Sequence, residues 1–297
     1  PTAQQILEPS PMSLLRKRAF GHAGLIIGGS VLLIIFIMAI FAPLLAAHDS
    51  YDFDLTKKFI DPIWSAKGTW EHPLGTDGQG RDYLSRIIYG ARTTITIAFI
   101  ATMLSFVLGI IAGFAAAIMG GVVDMVLSRL VEALMAIPTL ILALVIISVL
   151  GTDIIVLIGV IAALDSTRVF RLSRAIAMDI AVMEYVEAAR LRGEGLWWVM
   201  TREVLPNAVM PLVAEFGLRF AFAFLFIASL SFLGLGIQPP LADWGGMVRE
   251  NATAIIYGIP APLYPAAAIA VLAIGVNLLV DYVLARSNRS AAAEFEG

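Results

Sequence analysis

From Ala23 to Ala47, and again from Thr93 to Ile118, the chain carries no charged side chain. A hydrocarbon layer about 30 Å thick is crossed by roughly 20 helical residues, so each run is long enough to span it with some tilt. Lipid offers no partner to backbone N–H and C=O groups, and a helix satisfies them within its own segment. Four further apolar stretches follow: Leu134 to Leu150, Ile154 to Leu164 running on towards Arg168, Val209 to Ile237, and Tyr264 to Ala285. With 59% hydrophobic and 14% charged residues, the chain lies far from soluble domains, in which about a quarter of the residues are charged. The expected fold class is all-α, a polytopic membrane protein with six transmembrane helices and both termini cytoplasmic.

Orientation follows from Lys and Arg placement. Twelve of these residues (16, 17, 18, 129, 168, 171, 174, 190, 192, 202, 286 and 289) fall on the side that holds the termini. Seven (57, 58, 67, 81, 86, 92 and 249) fall on the other, and Arg219 lies within a span. Basic residues favour the cytoplasmic side, which puts both ends there. Residues 1–22 then form a cytoplasmic segment, its first fifteen residues disordered or interfacial. The first transmembrane helix covers 23–47, an extracytoplasmic loop 48–92, five further helices 93–286 and a cytoplasmic tail 287–297. A cleavable leader is the competing reading of the first run, but its apolar core would be only about 7–15 residues long.

Composition excludes several chemistries. A net charge of −3 gives no footprint for nucleic acid, and no Cys is present, so disulfides and thiolate metal sites are absent. His22, His48 and His72 lie far apart in sequence and make no metal-ligand spacing, so no metal is expected. No G-x-x-x-x-G-K-[ST] segment occurs, and any ATP driving the protein is hydrolysed on another polypeptide. No nucleophile, base and orienter cluster and no H-E-x-x-H segment supports a membrane hydrolase.

Within the apolar runs, Gly24 with Gly28 and Gly109 with Gly113 are small-xxx-small pairs that let a second helix approach closely. Gly120-Gly121 turns the chain into an amphipathic piece carrying Asp124, Arg129 and Glu132. Pro138 is expected to kink the third span and free backbone carbonyls, as a purely structural bend or as part of a cavity lining. Arg168, Arg171 and Arg174 share a slowly drifting helix face at a cytoplasmic exit. Glu215 and Arg219, four residues apart within the fifth span, are placed to pair. Intramembrane charges face a bundle interior or a watery cavity, so the two either select substrate or neutralise each other.

One polar island interrupts this pattern. Residues 184–206 are charged and aromatic: Glu184 to Arg192 favours helix, Gly193 and Gly195 permit a sharp bend, and Leu196 to Leu205 is again apolar-periodic. Pro206 suits the first turn of the helix that follows. The run Glu187-Ala188-Ala189, then Gly193, then Leu205-Pro206 resembles the EAA loop of bacterial ATP-binding-cassette importer permeases. Trp197 and Trp198 are anchors of the kind that dominate interfaces. The bland alternative is a solvated helix-turn-helix on the membrane surface.

Three other segments are similar to dipeptide and oligopeptide permeases. The first is His72 to Asp77 with Gly80-Arg81-Asp82 and Tyr89 to Arg92. The second is Ser229 to Gly236 with Gln238-Pro239-Pro240 and Asp243-Trp244-Gly245, and the third is Asn277 with Asp281 near the inner end of the last span. The resemblance covers about residues 15 to 285. It implies a multi-pass permease of the bacterial inner (plasma) membrane that forms half of a pathway for peptides or similar small solutes and works by alternating access. Its implied partners are a homologous second permease, two ATPase subunits that carry ATP and Mg, and an extracytoplasmic substrate-binding protein, with no cofactor on this chain. Residues 168–206 become the coupling loop, with Glu187, Ala188, Ala189, Gly193, Trp197, Leu205 and Pro206 at the ATPase. Pro138, Glu215 and Arg219 are the candidate pathway residues. An ion-gradient-driven secondary transporter or channel is the alternative, with Asp165, Glu215 and Asp281 as the acids available to it.

Overall fold

The computed structural model describes residues 11–295, and its side chains between residues 24 and 285. The described residues are helical and irregular, with a single isolated bridge between Thr76 and Asp82. In chain order the helices are α1 (Pro11–Ile40), α2 (Ala42–Leu45), α3 (Tyr83–Met119), α4 (Gly121–Met135), α5 (Thr139–Leu150), α6 (Ile154–Ala181) and α7 (Glu184–Leu191). They continue with α8 (Leu196–Trp198), a π-helical turn (Val199–Val204), α9 (Leu205–Phe232), α10 (Trp244–Asn251), a 3-10 segment (Ala252–Tyr257) and α11 (Leu263–Phe295).

Three of these are long and apolar enough to cross a membrane by themselves: Tyr83–Met119, Leu196–Phe232 and Leu263–Ala285. The pair α4 and α5 adds a fourth if it counts as one broken span, and Gly24–Ile40 is a shorter apolar helix.

Two expectations need correction. The second helix starts at Tyr83, not Thr93, because Asp82 caps it: the Asp82 carboxylate accepts from Ser85 N at 2.8 Å, a cap contributing about 1 kcal/mol. The third span is not a kinked helix over Leu134–Leu150; α4 and α5 meet at 89°, with Pro138 as the residue before α5. Proline supplies no N–H to the preceding turn and its ring crowds it, and here the helix breaks outright. Of the segment expected to be disordered or interfacial over residues 1–15, residues 11–15 are helical, and residues 1–10 lie outside the described ones. The expected tail 287–297 is, over its described part, a continuation of α11, which runs to Phe295.

Close packing occurs where the glycines allow it. A Cβ at Gly109 would lie 2.6 Å from Val169 Cβ, and one at Gly113 would lie 2.8 Å from the carbonyl oxygen of Phe170. Helices α3 and α6 therefore meet backbone to backbone, and Ser173 Oγ donates across the seam to the Gly109 carbonyl at 3.0 Å. Gly28 does the same for α1 against α11, facing Leu278 Cβ and the Gly275 carbonyl at 2.8 and 2.9 Å.

Two apolar cores result. The larger joins α1, α3, α5, α6, α9, α10 and α11 around Tyr83, Phe224, Leu230, Trp244 and Leu272. The smaller lies beneath residues 184–206 and holds Phe114, Val169, Val186, Ala189, Met200, Val204 and Leu212. That second core fixes the polar island to α3 and α6.

Candidate functional site

The island folds as an elbow. Helix α7 ends in a left-handed glycine: Gly193 has φ +83°, its N–H donates to the Arg190 carbonyl at 2.9 Å, and Glu194 N–H reaches the Ala189 carbonyl at 3.2 Å. This is the paired closure that glycine makes after a helix C-terminus. Gly195 keeps an ordinary φ of −74°, so the bend rests on Gly193 alone.

The second arm starts at Leu196 and does not stop at Pro206. It winds through the π turn into α9 as one helix, Leu196–Phe232. Pro206 has no N–H for the preceding turn, and the wider turn over Val199–Val204 accommodates that loss, while Pro211 lies inside α9. The second arm of the elbow and α9 are therefore one continuous helix.

The faces of the elbow divide the expected residues. Val186 and Ala189 are fully buried against the chain itself, so Ala189 is packing, not contact surface. Glu187, Ala188, Gly193, Trp197 and Pro206 are exposed, while Trp198 and Leu205 are half-buried. Arg192 reaches over the Trp198 ring at 5.7 Å, and Arg190 donates to the Ile118 carbonyl at the end of α3 at 3.3 Å. Trp197 closes one end of an apolar groove of about 460 Å³ between α3 and α9, which includes Phe106, Phe114 and Phe216.

Further along the same rod, Arg219 Nε lies 2.7 Å from Glu215 Oε1. The structure adds Asp165 from α6, whose Oδ1 is 3.5 Å from Arg219 Nη1. The contacts are ionic more than directed hydrogen bonds, since neither Arg219 atom has hydrogen-bond geometry to its acid. Asp165 and Arg168 line a cleft of about 280 Å³ with Thr139, Leu140 and Phe222. Glu215 and Arg219 reach this cleft through Asp165, and the residues after Pro138 line it while Pro138 itself stands exposed at the break. Arg219 and Arg168 both approach the face of Phe222, at 5.0 and 5.9 Å. Spacing along the sequence could not pair Asp165 with Arg219, since they sit on different helices.

On the opposite side, loop 48–82 is ordered by charge. Asp77 accepts from Arg81 Nε at 2.7 Å and Arg86 Nη1 at 2.8 Å, and Glu250 of α10 accepts from Arg81 Nη2 at 2.6 Å and Arg86 Nη1 at 2.9 Å. Trp244 Nε1 donates to the Ile87 carbonyl at 3.0 Å, and its indole fills the space left by Gly90, where a Cβ would be 2.8 Å away. Asp243 caps α10 by accepting from Gly246 N at 3.0 Å, and burial pushes its carboxyl up to about 6. None of this network was legible in the sequence. His48 and His72, widely separated there, lie with ring centroids 4.8 Å apart.

A family model described as "Binding-protein-dependent transport system inner membrane component" matches residues 105–292. A second, "N-terminal TM domain of oligopeptide transport permease C", matches residues 10–62. A putative peptide transport system permease protein of Brucella abortus is 36% identical over 92% of this chain and 90% of its own length. A di/tripeptide transport system permease protein of Pseudomonas aeruginosa is 34% identical over 93% and 91%, and a glutathione transport system permease protein of Pectobacterium atrosepticum 30% over 88% and 84%. Among solved structures, an amino acid ABC transporter with histidines superposes with a TM-score of 0.51 at 21% identity, covering 69% of this chain and 95% of that one.

Proposed function

Because this chain belongs to the family of binding-protein-dependent transport system inner membrane components, we propose that it is a permease subunit of an ATP-driven importer that admits peptides by alternating access. It is a transport subunit of the inner membrane. Its six crossings are α1, α3, the α4–α5 pair, α6, α9 and α11, with both termini in the cytoplasm. It forms half of the pathway beside a homologous permease, and an extracytoplasmic binding protein delivers substrate to the face built from loop 48–82 and α10. Two ATPase subunits carry ATP and Mg and dock on the elbow through Glu187, Ala188, Gly193, Trp197 and Pro206, with Leu205 supporting them.

The observation that carries this reading is the unbroken helix from Leu196 to Phe232. Closure of the ATPase pair displaces the elbow, the rod carries that displacement to Glu215 and Arg219, and the cleft beside α6 changes its opening. A bistable bundle biased from both faces needs no chemistry of its own. The peptide assignment follows the relatives named for peptides, with glutathione, itself a tripeptide, at its edge.

The test is uptake in proteoliposomes by the assembled complex. ATP-dependent peptide uptake is expected, abolished by Glu187→Arg in the elbow without loss of the folded chain. Uptake by this chain alone under a proton or sodium gradient would instead establish a secondary transporter.

A further inference from the structure

We propose that loop 48–82 holds a divalent transition-metal site of the zinc type, built on His48, His72 and Glu71 and oriented by Asp82. A ring nitrogen of each histidine and a carboxylate oxygen of Asp82 lie within 4.8 Å of one another. The two oxygens of Asp82 already have partners: Oδ2 accepts from Ser85 N at 2.8 Å and Oδ1 meets His72 Nδ1 at 3.0 Å. That contact assigns the His72 proton to Nδ1 and leaves the lone pair on Nε2 bare. Nε2 is buried without a hydrogen-bond partner, on a side chain only 5% exposed. A carboxylate holding one imidazole nitrogen while the other stays free is the arrangement that orients a metal-binding histidine.

One further donor stands near this atom, and the His48 ring lies beside it. Glu71 Oε1 is 3.9 Å from His72 Nε2, against a spacing of about 3.3 Å for two ligands at tetrahedral zinc distances. His48 Nε2 donates to the Glu71 carbonyl at 3.1 Å, so its other ring nitrogen keeps a lone pair. All of these residues border a polar cavity of about 160 Å³, into which Asp52 and Asp54 also bring negative charge. Lys57 works against the site, its ammonium 2.6 Å from Glu71 Oε1. Binding exchanges that exposed ion pair for metal coordination. Imidazole and carboxylate donors without thiolate suit zinc, cobalt or nickel and disfavour soft copper(I). Occupancy would tie the end of the first span to the start of α3.

The test uses the full chain in its complex, purified without a polyhistidine tag and dialysed against excess Zn²⁺ and then metal-free buffer. One equivalent of retained zinc per chain is expected, with the visible d–d absorption of a tetrahedral site when Co²⁺ replaces it. His72→Gln and, separately, the partly exposed His48→Gln should each weaken Zn²⁺ binding at least tenfold. The second variant leaves the buried Asp82 contact intact and answers the question if the first does not fold. Substoichiometric zinc in the unaltered protein, or equal retention by His48→Gln, overturns the proposal.

Discussion

Arg81 places Nη2 2.6 Å from Oε2 of Glu250, and with Arg86 it fastens loop 48–82 to α10, more than 160 residues away in sequence. Two guanidiniums and two carboxylates balance each other there. Asp77 is buried at 1% exposure, whereas the Glu250 side chain is 26% exposed. Breaking a buried pair by removing one partner costs about 3–5 kcal/mol, and water screens the more open one. Asp77→Asn should therefore lower the thermal midpoint in detergent strongly, and Glu250→Gln by the equivalent of about 1–2 kcal/mol. Equal losses would mean that exposure does not grade the network.

The α3–α6 seam predicts opposite outcomes for two glycines. At Gly113 an added methyl meets the Phe170 carbonyl and the Arg174 amide at 2.8 and 2.9 Å, backbone atoms that cannot move aside cheaply. At Gly159, inside α6, nothing lies within 4 Å. Gly113→Ala should destabilise by about 1–3 kcal/mol through overpacking, while Gly159→Ala gains up to about 1 kcal/mol from helix propensity. Thermal unfolding of both variants in the same detergent decides it.

Asp165 changes what the intramembrane charges are expected to do. Arg219 lies between two carboxylates, so Arg219→Ala leaves two half-buried carboxylates without their shared cation and should cost more folded protein than Glu215→Ala. Removing Glu215 and Arg219 together leaves Asp165 beside Arg168 in the cleft. That double variant should fold and alter the range of peptides taken up. Unaltered uptake of every peptide tested would make the pair purely structural.

Asp243 gives a pH dependence of definite sign. Its carboxyl is raised from 3.8 to about 6 in the folded chain, chiefly by burial, so ionisation opposes folding. The stability it contributes is fully present below about pH 3.8 and is lost as pH rises through about 6. Between pH 7.5 and pH 5 the unaltered chain should gain on the order of 1–2 kcal/mol relative to Asp243→Asn. A difference that is flat or reversed across that range contradicts the burial argument.

Sequence made the uncharged runs, the small-residue pairs and the glycine bend legible because each is set by residues on adjacent turns. The break at Pro138 and the capped start at Tyr83 were hidden because both depend on which partner a backbone group finds. So was the inward face of Ala189, since motif residues look alike whether they meet a partner or the chain's own core. Charge pairs such as Asp165 with Arg219, or Arg81 with Glu250, join elements distant in sequence and leave no spacing signal.

An elbow that lies in the cytoplasm and is gripped by an ATPase is open to reagents from one side of the membrane only, and only while the ATPase is absent. The chain contains no cysteine, so Ala188→Cys introduces one thiol at an exposed position of α7. With membrane-impermeant maleimide this thiol should react in inside-out vesicles, stay unmodified in intact cells, and be shielded when the ATPase subunits are bound. Modification in intact cells, or full reactivity with the ATPases in place, would contradict the claim.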